Sequence, residues 1–458
     1  MSLTLHLDEI PYQRDSCDLY ECLADLPATA LLDSCHTAAR GARFDILTAN
    51  PAADSPGPLP ASASAAQCRS YFDQLAQFHR QRYAGIRGVD ADLPFCGGLL
   101  GYLGYEAGPG LQGLAGSRAP DLAGLPRASM HAYDWCVIQD HLLQRTVMVS
   151  LPALPTAQRR DYLARLKSNT QTGGAGFTLG SRFRSNLSVE EYRDAFARIQ
   201  AYIRAGDCYQ VNLAQRFHAD YQGDPWRAYR QLRDVAGAPF SAFLTLDDGA
   251  LINLSPERFI ALQGSHVETR PIKGTRPRCF ESAVKDRELA EQLRTSAKDR
   301  AENLMIVDLL RNDLGRSCVP GSIRVDKLFE IETYPTVHHL VSTVSGELQT
   351  GRGALELLRD SFPGGSITGA PKRRAMEIIA ELEPHPRQLY CGSVAYISAD
   401  GRMDSNIAIR SLLCRNGEIH CWGGGGIVAD SQCEQEYQET LDKVGQFLDC
   451  LEQSAGLR

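Results

Sequence analysis

The 458-residue chain has no CxxC pair among its 14 cysteines, which are scattered from Cys17 to Cys450. That scatter excludes a zinc knuckle and a compact disulfide framework, and leaves most of the thiols to act as small buried hydrophobes. No apolar run reaches membrane-spanning length, and the opening MSLTLHLDEIPYQRD lacks the basic and apolar regions of a secretory peptide. A cytoplasmic protein without membrane contact is therefore the expectation. Positive charge is scarce as well. With 48 Lys and Arg against 55 Asp and Glu the formal charge is -7, so the bulk field of a nucleic-acid binder is missing while small anionic substrates stay open. HExxH, the Ser nucleophile elbow and the Walker A loop are absent, which excludes zinc-hydrolase, serine-hydrolase and P-loop chemistry in their usual forms.

What is present is the composition of an ordinary globular protein, 43% hydrophobic and 22% charged, long enough for a large core or a few domains. Strand-like stretches at RFDILTA and between Gln139 and Val149 flank a Gly/Pro/Ala-rich span from Pro51 to Ala66, so the first part reads as β-rich. CGGLLGYLGYEAG, from Cys96 to Gly108, carries too many glycines for a helix and predicts close backbone packing. A polar, Gly-bearing connector at 168–186 separates an N-terminal subdomain, 1–167, from the region 187–458. After it, Ser188 and Glu191 have the spacing of a capping box, and Tyr192, Phe196 and Ile199 predict a helix. The helix breaks at Gly206 into a strand, and PFSAFL and ALINLSPERFIAL predict further strands. Together these elements make a mixed α+β body.

Several stretches can carry chemistry. In LINLSPERF, Glu257 lies at a proline-defined turn between apolar runs, where a dry pocket would raise its pKa; a solvated turn glutamate is the plainer alternative. In RPIKGTRPR, Lys273 is either part of a basic surface loop or an amine nucleophile whose pKa is lowered by Arg276 and Arg278. KDRAENLMIVDLLRNDLG reads as a helix with an apolar stripe through Leu304, Val307 and Leu310 to Leu314, and with Asp299 and Glu302 on one face. CEQEYQETLDKVGQFL repeats the device with Glu436, Glu439 and Lys443. Two such helices either enclose a hard divalent cation or present wet acidic faces. The Gly-rich places FPGGSITGAPKRR, YCGS and WGGGGIVAD either pack tightly or offer amides to a carboxylate, with Thr368, Arg410 and Lys443 nearby. His338 and His339 are adjacent on a strand, so at most one reaches a given pocket.

These motifs, quoted with YPTVHHLVSTV, MDSNIAIRS and GGGGIVADSQCEQEYQETLDK, resemble the chorismate-utilising family of anthranilate, isochorismate, salicylate and 4-amino-4-deoxychorismate synthases, from Ser188 to Cys450. LLDS, RFDI and GGLLGYLGYE extend the likeness to the N-terminal region. The resemblance implies an anthranilate synthase component I-like α+β fold, two packed β-sheet layers surrounded by helices, with both regions packed as one unit. It implies that Glu257 is a general acid for departure of the chorismate C4 hydroxyl, that Glu302 and Glu439 hold Mg²⁺ with Glu436 near its water shell, and that His339 lies near the reacting ring. Thr275, Thr368, Tyr390, Arg410, Lys443 and the amides of Gly424, Gly425 and Gly426 are the implied substrate contacts.

Lys273 discriminates between branches. The aminodeoxychorismate branch carries PIKGT where anthranilate synthases resemble PIAGT, and Gln210 stands where isochorismate and salicylate synthases resemble a lysine base. The resemblance thus implies C4 amination of chorismate, on the path to 4-aminobenzoate and folate, with Lys273 attacking C2 before ammonia attacks C4. No fused glutamine amidotransferase is visible, so a separate amidotransferase subunit is the expected partner. Ser34, Phe44, Pro239 and Phe240 resemble the tryptophan-binding region of these enzymes. An anthranilate-forming enzyme and a catalytically idle scaffold are the rival readings.

Overall fold

The computed structural model describes residues 4–35, 42–86, 92–114, 124–168, 175–334 and 337–457. Residues 169–174 of the expected connector, Pro335 and Thr336 of YPTV, and the first three residues lie outside that description.

Two antiparallel sheets form the body. The larger, of 13 strands, runs from His6–Ile10 through Arg145–Ser150, Trp135–Asp140, Phe44–Thr48 and Ala30–Asp33 to Phe240–Leu246, Gly249–Ser255, Ser411–Arg415, Glu418–Ile427 and Gln210–Gln222. Ala30–Asp33 pairs with Phe240–Leu246, so strands from before and after the connector share one hydrogen-bonded sheet. The second sheet, of nine strands, contains Ile272–Pro277, Val337–Glu347, Arg258–Gln263, Met403–Asn406, Ser393–Ser398 and Gly98–Leu103. One apolar core joins the two sheets, with Leu244, Leu251 and Leu413 from the larger and Leu99, Ile260 and Ile397 from the smaller. A second core lies where helices Pro225–Ala236 and Cys433–Ser454 pack on the larger sheet through Trp226, Tyr229 and Phe447.

Local sequence explains several of these elements. Ser188 and Glu191 form the capping box, Glu191 N donating to Ser188 Oγ at 3.2 Å and Ser188 N to Glu191 Oε2 at 2.8 Å, and the helix runs Val189–Arg204. The stretch from Gln139 to Val149 is two strands, Trp135–Asp140 and Arg145–Ser150, folded back on each other. ALINLSPERFIAL is likewise two strands, and they belong to different sheets: Gly249–Ser255 lies in the larger, Arg258–Gln263 in the smaller. Proline cannot donate to a ladder, so Pro256 ends the first strand and Glu257 falls at the crossing between layers. In the helix Ala297–Gly315 the buried stripe is Asn303, Ile306, Val307, Leu310 and Leu314, whereas Leu304 is 46% exposed. The expected stripe through Leu304 is corrected by this packing, because Asn303 turns inward to exchange hydrogen bonds with Ser342 Oγ and the Leu340 carbonyl.

None of the 14 cysteines is joined in a disulfide, and ten are buried as small hydrophobes. Gly101 lies where a Cβ would collide with the Ser129 carbonyl of the neighbouring strand, which accounts for the glycine-rich run there. No described helix is long and apolar enough to cross a membrane. Gly101→Ala is expected to cost about 1–3 kcal/mol, the range for overpacking against an unyielding neighbour, measured as a lowered urea midpoint with unchanged slope.

Candidate active site

Glu257, Lys273, His339, Arg410, Glu302 and the acidic helix Cys433–Ser454 come from six separated chain segments, and their charges and hydrogen bonds act on one another. Glu257 is buried, 7% exposed, at the crossing between the sheets. Its backbone N–H donates to Ser255 Oγ at 3.1 Å and its carbonyl accepts from Ile407 N at 3.0 Å, so the turn is held from both sides. Burial pushes its carboxyl up to about 7; Lys273, hydrogen bonds from Ser366 and the Ile272 backbone, and Lys443 oppose that shift without cancelling it.

Lys273 lies on the strand Ile272–Pro277, and its Nζ donates to the Ser366 carbonyl at 3.2 Å. Lys273 is half-buried as a residue, and its amine is packed closely enough for desolvation to dominate its titration. Burial lowers its pKa, and Lys443 adds to the effect, against the pull of Glu257, Glu302 and Glu439. The cause expected from the sequence is corrected here. Arg276 Nη2 pairs with Asp299 at 3.1 Å and Arg278 with Asp286 at 2.9 Å, so both guanidiniums are spent elsewhere and desolvation does the work. Asp299 is held by Arg276, and its charge also reaches Glu302 and raises that carboxyl, as neighbouring positions on one helix face require.

Thr275 pairs in register with His339 on the strand Val337–Glu347, and Thr275 Oγ1 lies 2.9 Å from His339 Nδ1. Burial, with the Arg410 charge, brings the imidazole down to about 4 against a hydrogen bond to the Gly274 backbone, so it is neutral at pH 7. Its neighbour points the other way: His338 Nε2 meets Asp286 Oδ1 at 3.0 Å and Nδ1 meets Thr333 Oγ1 at 2.9 Å. Arg410, at φ 53°, has no hydrogen-bond or ion-pair partner for its guanidinium among the described residues, and burial lowers its pKa. An enclosed cation without a counterion is the chemistry of a carboxylate receptor.

The glycine strand forms the wall beside it. Lys443 Nζ donates to the Gly424 carbonyl at 2.9 Å. A Cβ at Gly424 would lie 2.9 Å from the Tyr390 hydroxyl, at Gly425 3.0 Å from Glu436 Oε2, and at Gly426 2.6 Å from Gln210 Nε2. The three glycines therefore let Tyr390, Glu436 and Gln210 close on the backbone. Thr368 is fully buried and its hydroxyl donates to the Gly364 carbonyl at 3.0 Å, so its side chain shapes the turn that presents Ser366. Ser366 itself touches both Glu257 and Lys273, a role hidden inside GGSITG, where only the threonine stood out in the sequence.

Burial raises the pKa of both Glu302 and Glu436, and the charges of Asp299 and Glu436 add to the rise of Glu302. Glu436 accepts from Ser431 Oγ at 2.7 Å. Glu439 is half exposed and paired with Lys443 at 2.6 Å, so solvent screens that pair; burial raises its carboxyl, and Lys443 with its hydrogen bond brings the net result below the ordinary value. No three carboxylate, imidazole or thiol groups come together as a metal-holding set among the described residues. The carboxylate oxygens of Glu302, Glu436 and Glu439 are nonetheless the donor type that a hard cation takes.

A cavity of about 500 Å³ lies elsewhere, between the sheets, with Phe44, Pro239 and Phe240 on its wall beside Arg43, Arg258 and Asp404. Ser34 is buried and off that wall, its Oγ and N–H donating to Asp45 Oδ1 at 2.7 and 2.8 Å. The chemistry concentrates at Glu257 and Lys273, not in this cavity.

The chain belongs to the chorismate binding enzyme family, whose profile matches residues 33–449. It is 47% identical over 454 residues to aminodeoxychorismate synthase component 1 of Klebsiella aerogenes, covering 97% of this chain and 98% of that one. It is 38% identical over 389 residues to anthranilate synthase component 1 of Streptomyces coelicolor, covering 81% and 76%. The crystal structure of anthranilate synthase component I from Streptococcus pneumoniae superposes with a TM-score of 0.75 at 29% identity, covering 90% of this chain and 93% of that one. The menaquinone-specific isochorismate synthase of Escherichia coli shares the fold at a TM-score of 0.72 and 16% identity, covering 98% and 95%.

A carboxyl whose folded-state pKa stands above its unfolded value destabilises the fold as pH rises. For Glu257 that penalty is absent below the ordinary carboxyl range, grows up to about 7 and is constant above. Glu257→Gln should therefore match the parent in urea unfolding near pH 4 and exceed it at pH 8 by up to about 3 kcal/mol, reduced by whatever Lys273 loses with its partner.

Proposed function

We propose that this chain aminates chorismate at C4, giving 4-amino-4-deoxychorismate on the path to 4-aminobenzoate and folate, with ammonia supplied from glutamine by a separate amidotransferase subunit. The observation that carries the reading is the enclosed Lys273 amine, its pKa lowered by burial, beside a Glu257 carboxyl raised by burial to about 7. The likeness to aminodeoxychorismate synthase component 1 along nearly the whole chain supports it.

In the proposed reaction the neutral Lys273 amine attacks C2 of the ring. The ring double bond shifts, and the C4 hydroxyl leaves as water with the proton of Glu257. Ammonia then attacks C4, the double bond returns, and Lys273 departs from C2; the protons released by the two amines restore Glu257 and leave the lysine neutral. Occupying C2 with the lysine directs the incoming nitrogen to C4. Neutral His339, oriented by Thr275, borders the ring without competing for protons, while Arg410, Tyr390, Lys443 and the Gly424 to Gly426 backbone receive the substrate carboxylates. Glu302 and Glu439, with Glu436 behind them, are the residues that would hold Mg²⁺, which when bound neutralises carboxylate charge and fixes the ring. The cavity bordered by Phe44, Pro239 and Phe240 is the candidate seat of a tryptophan, its aromatic wall for the indole and its charged residues for the amino acid end.

Chorismate, Mg²⁺ and ammonium given to the purified chain, with an aminodeoxychorismate lyase added, should yield 4-aminobenzoate by mass-resolved analysis. Anthranilate as the product would replace this reading, and no turnover with or without the amidotransferase would leave the scaffold. Lys273→Ala should abolish C4 amination in a folded protein, and Glu302→Ala should weaken Mg²⁺-supported turnover. Glu257→Gln should lower turnover by roughly 10²–10⁴-fold, the usual size of a lost general acid. In the parent enzyme the rate should fall as pH rises through about 7, when Glu257 gives up its proton, and that limb should vanish in Glu257→Gln.

A further inference from the structure

Beyond Trp422, away from the Gly424 end of the glycine strand, the paired strands Gln210–Gln222 and Glu418–Ile427 carry a second cationic group that the proposed reaction does not use. Arg216 is directly opposite Trp422 and His218 is opposite His420. Alternate residues share a face, so Arg216, His218 and His420 project from the same side of the sheet. The two imidazoles lie near parallel, with centroids 6.3 Å apart, and His420 is 6.1 Å from the Trp422 ring. Asn186 completes the arrangement. Its Oδ1 accepts from Arg216 N at 2.7 Å and its Nδ2 lies 3.0 Å from His385 Nδ1, which ties His385 to the same place.

The partners of this cluster are missing. Arg216 is 7% exposed, and its Nε and Nη1 are buried without a hydrogen-bond acceptor. Nδ1 of His218 and of His420 are likewise buried and unpaired. The acidic residue whose charge reaches Arg216 is Glu418 at the rim, and its Oε2 is already 3.2 Å from His420 Nε2. Desolvation lowers the pKa of Arg216, His385 and His420, with Arg216 and His218 adding to the shift of both histidines. A buried guanidinium with two idle donors is costly unless an acceptor reaches it.

We propose that Arg216, His218, His385 and His420 form a binding site for a small oxyanion, phosphoryl or carboxylate, separate from the pocket of Glu257 and Lys273. The ligand accepts from the idle guanidinium donors of Arg216. Glu418, at the rim, opposes the anion by its own charge.

The test uses the full chain and two probes, sulfate for the tetrahedral class and succinate for the carboxylate class, each titrated against chloride at constant ionic strength. The expected result is saturable movement of the His218, His385 and His420 ring resonances with one or both probes. Arg216→Met, which removes an unpaired buried charge at similar volume, should abolish the response while leaving the unfolding midpoint unchanged or higher. If that variant fails to fold, half-buried His218→Gln should weaken binding by about tenfold or more. The probe that binds names the ligand class. Absence of saturable movement with both probes, or an equal response in a folded Arg216→Met or His218→Gln chain, overturns the site.

Discussion

Burying an acid and an amine in one pocket is the constraint on which the rest of this molecule depends. In water Glu257 would be an anion and Lys273 a cation, and their attraction would keep them so. Here desolvation outweighs that attraction on both sides, raising the acid and lowering the amine, so each is drawn toward its neutral form. A neutral amine is a nucleophile and a neutral carboxyl is a proton donor. The condition lasts only while the walls exclude water and keep Ser366 between the two groups.

Two buried ion pairs hold those walls. Arg387 is 1% exposed and uses every guanidinium nitrogen, bonding Glu383 at 2.7 and 2.8 Å, the Ile367 carbonyl at 2.9 Å and the Asn212 carbonyl at 3.0 Å. It joins the Ser366 turn to the strand that flanks the glycines, and it sits 4.7 Å above the Tyr105 ring. Lys372 bonds Asp313 at 2.7 Å and the Ser361 carbonyl at 2.9 Å, fastening the helix of Glu302 to the same turn. Removing one member of either pair would leave a buried charge without a partner, a larger loss than the pair itself is worth. Contrast Arg216, whose idle donors mark a place where the protein has supplied the cation and left the acceptor to come from outside.

The same scaffold serves several chorismate enzymes, as the shared fold with an isochorismate synthase at 16% identity makes plain. Fold alone therefore does not choose the reaction. At the proposed site the choice falls to a few side chains on common elements. Lys273 reaches the Ser366 carbonyl, and Gln210, too weak a base to activate water, lies against Gly426.

Local elements were legible in the sequence because their causes are local. Ser188 and Glu191 announce a helix start, Pro256 ends a strand, and adjacent His338 and His339 must face opposite ways on any strand. The motifs also named Glu257, Lys273 and the glutamates as a group. What depended on distant chain segments was decided by tertiary structure. The strands on either side of Pro256 belong to different sheets, which no pattern within ALINLSPERFIAL reveals. Arg276 and Arg278, near Lys273 in sequence, are claimed by Asp299 and Asp286, so the lysine owes its lowered pKa to burial. Leu304 gives way to Asn303 because Ser342 and the Leu340 carbonyl, some 40 residues away, wait for the amide. Sequence fixes which groups are available and how the nearest ones must point; solvent exclusion and counter-charge, which set what those groups can do, arise only when remote segments close around them.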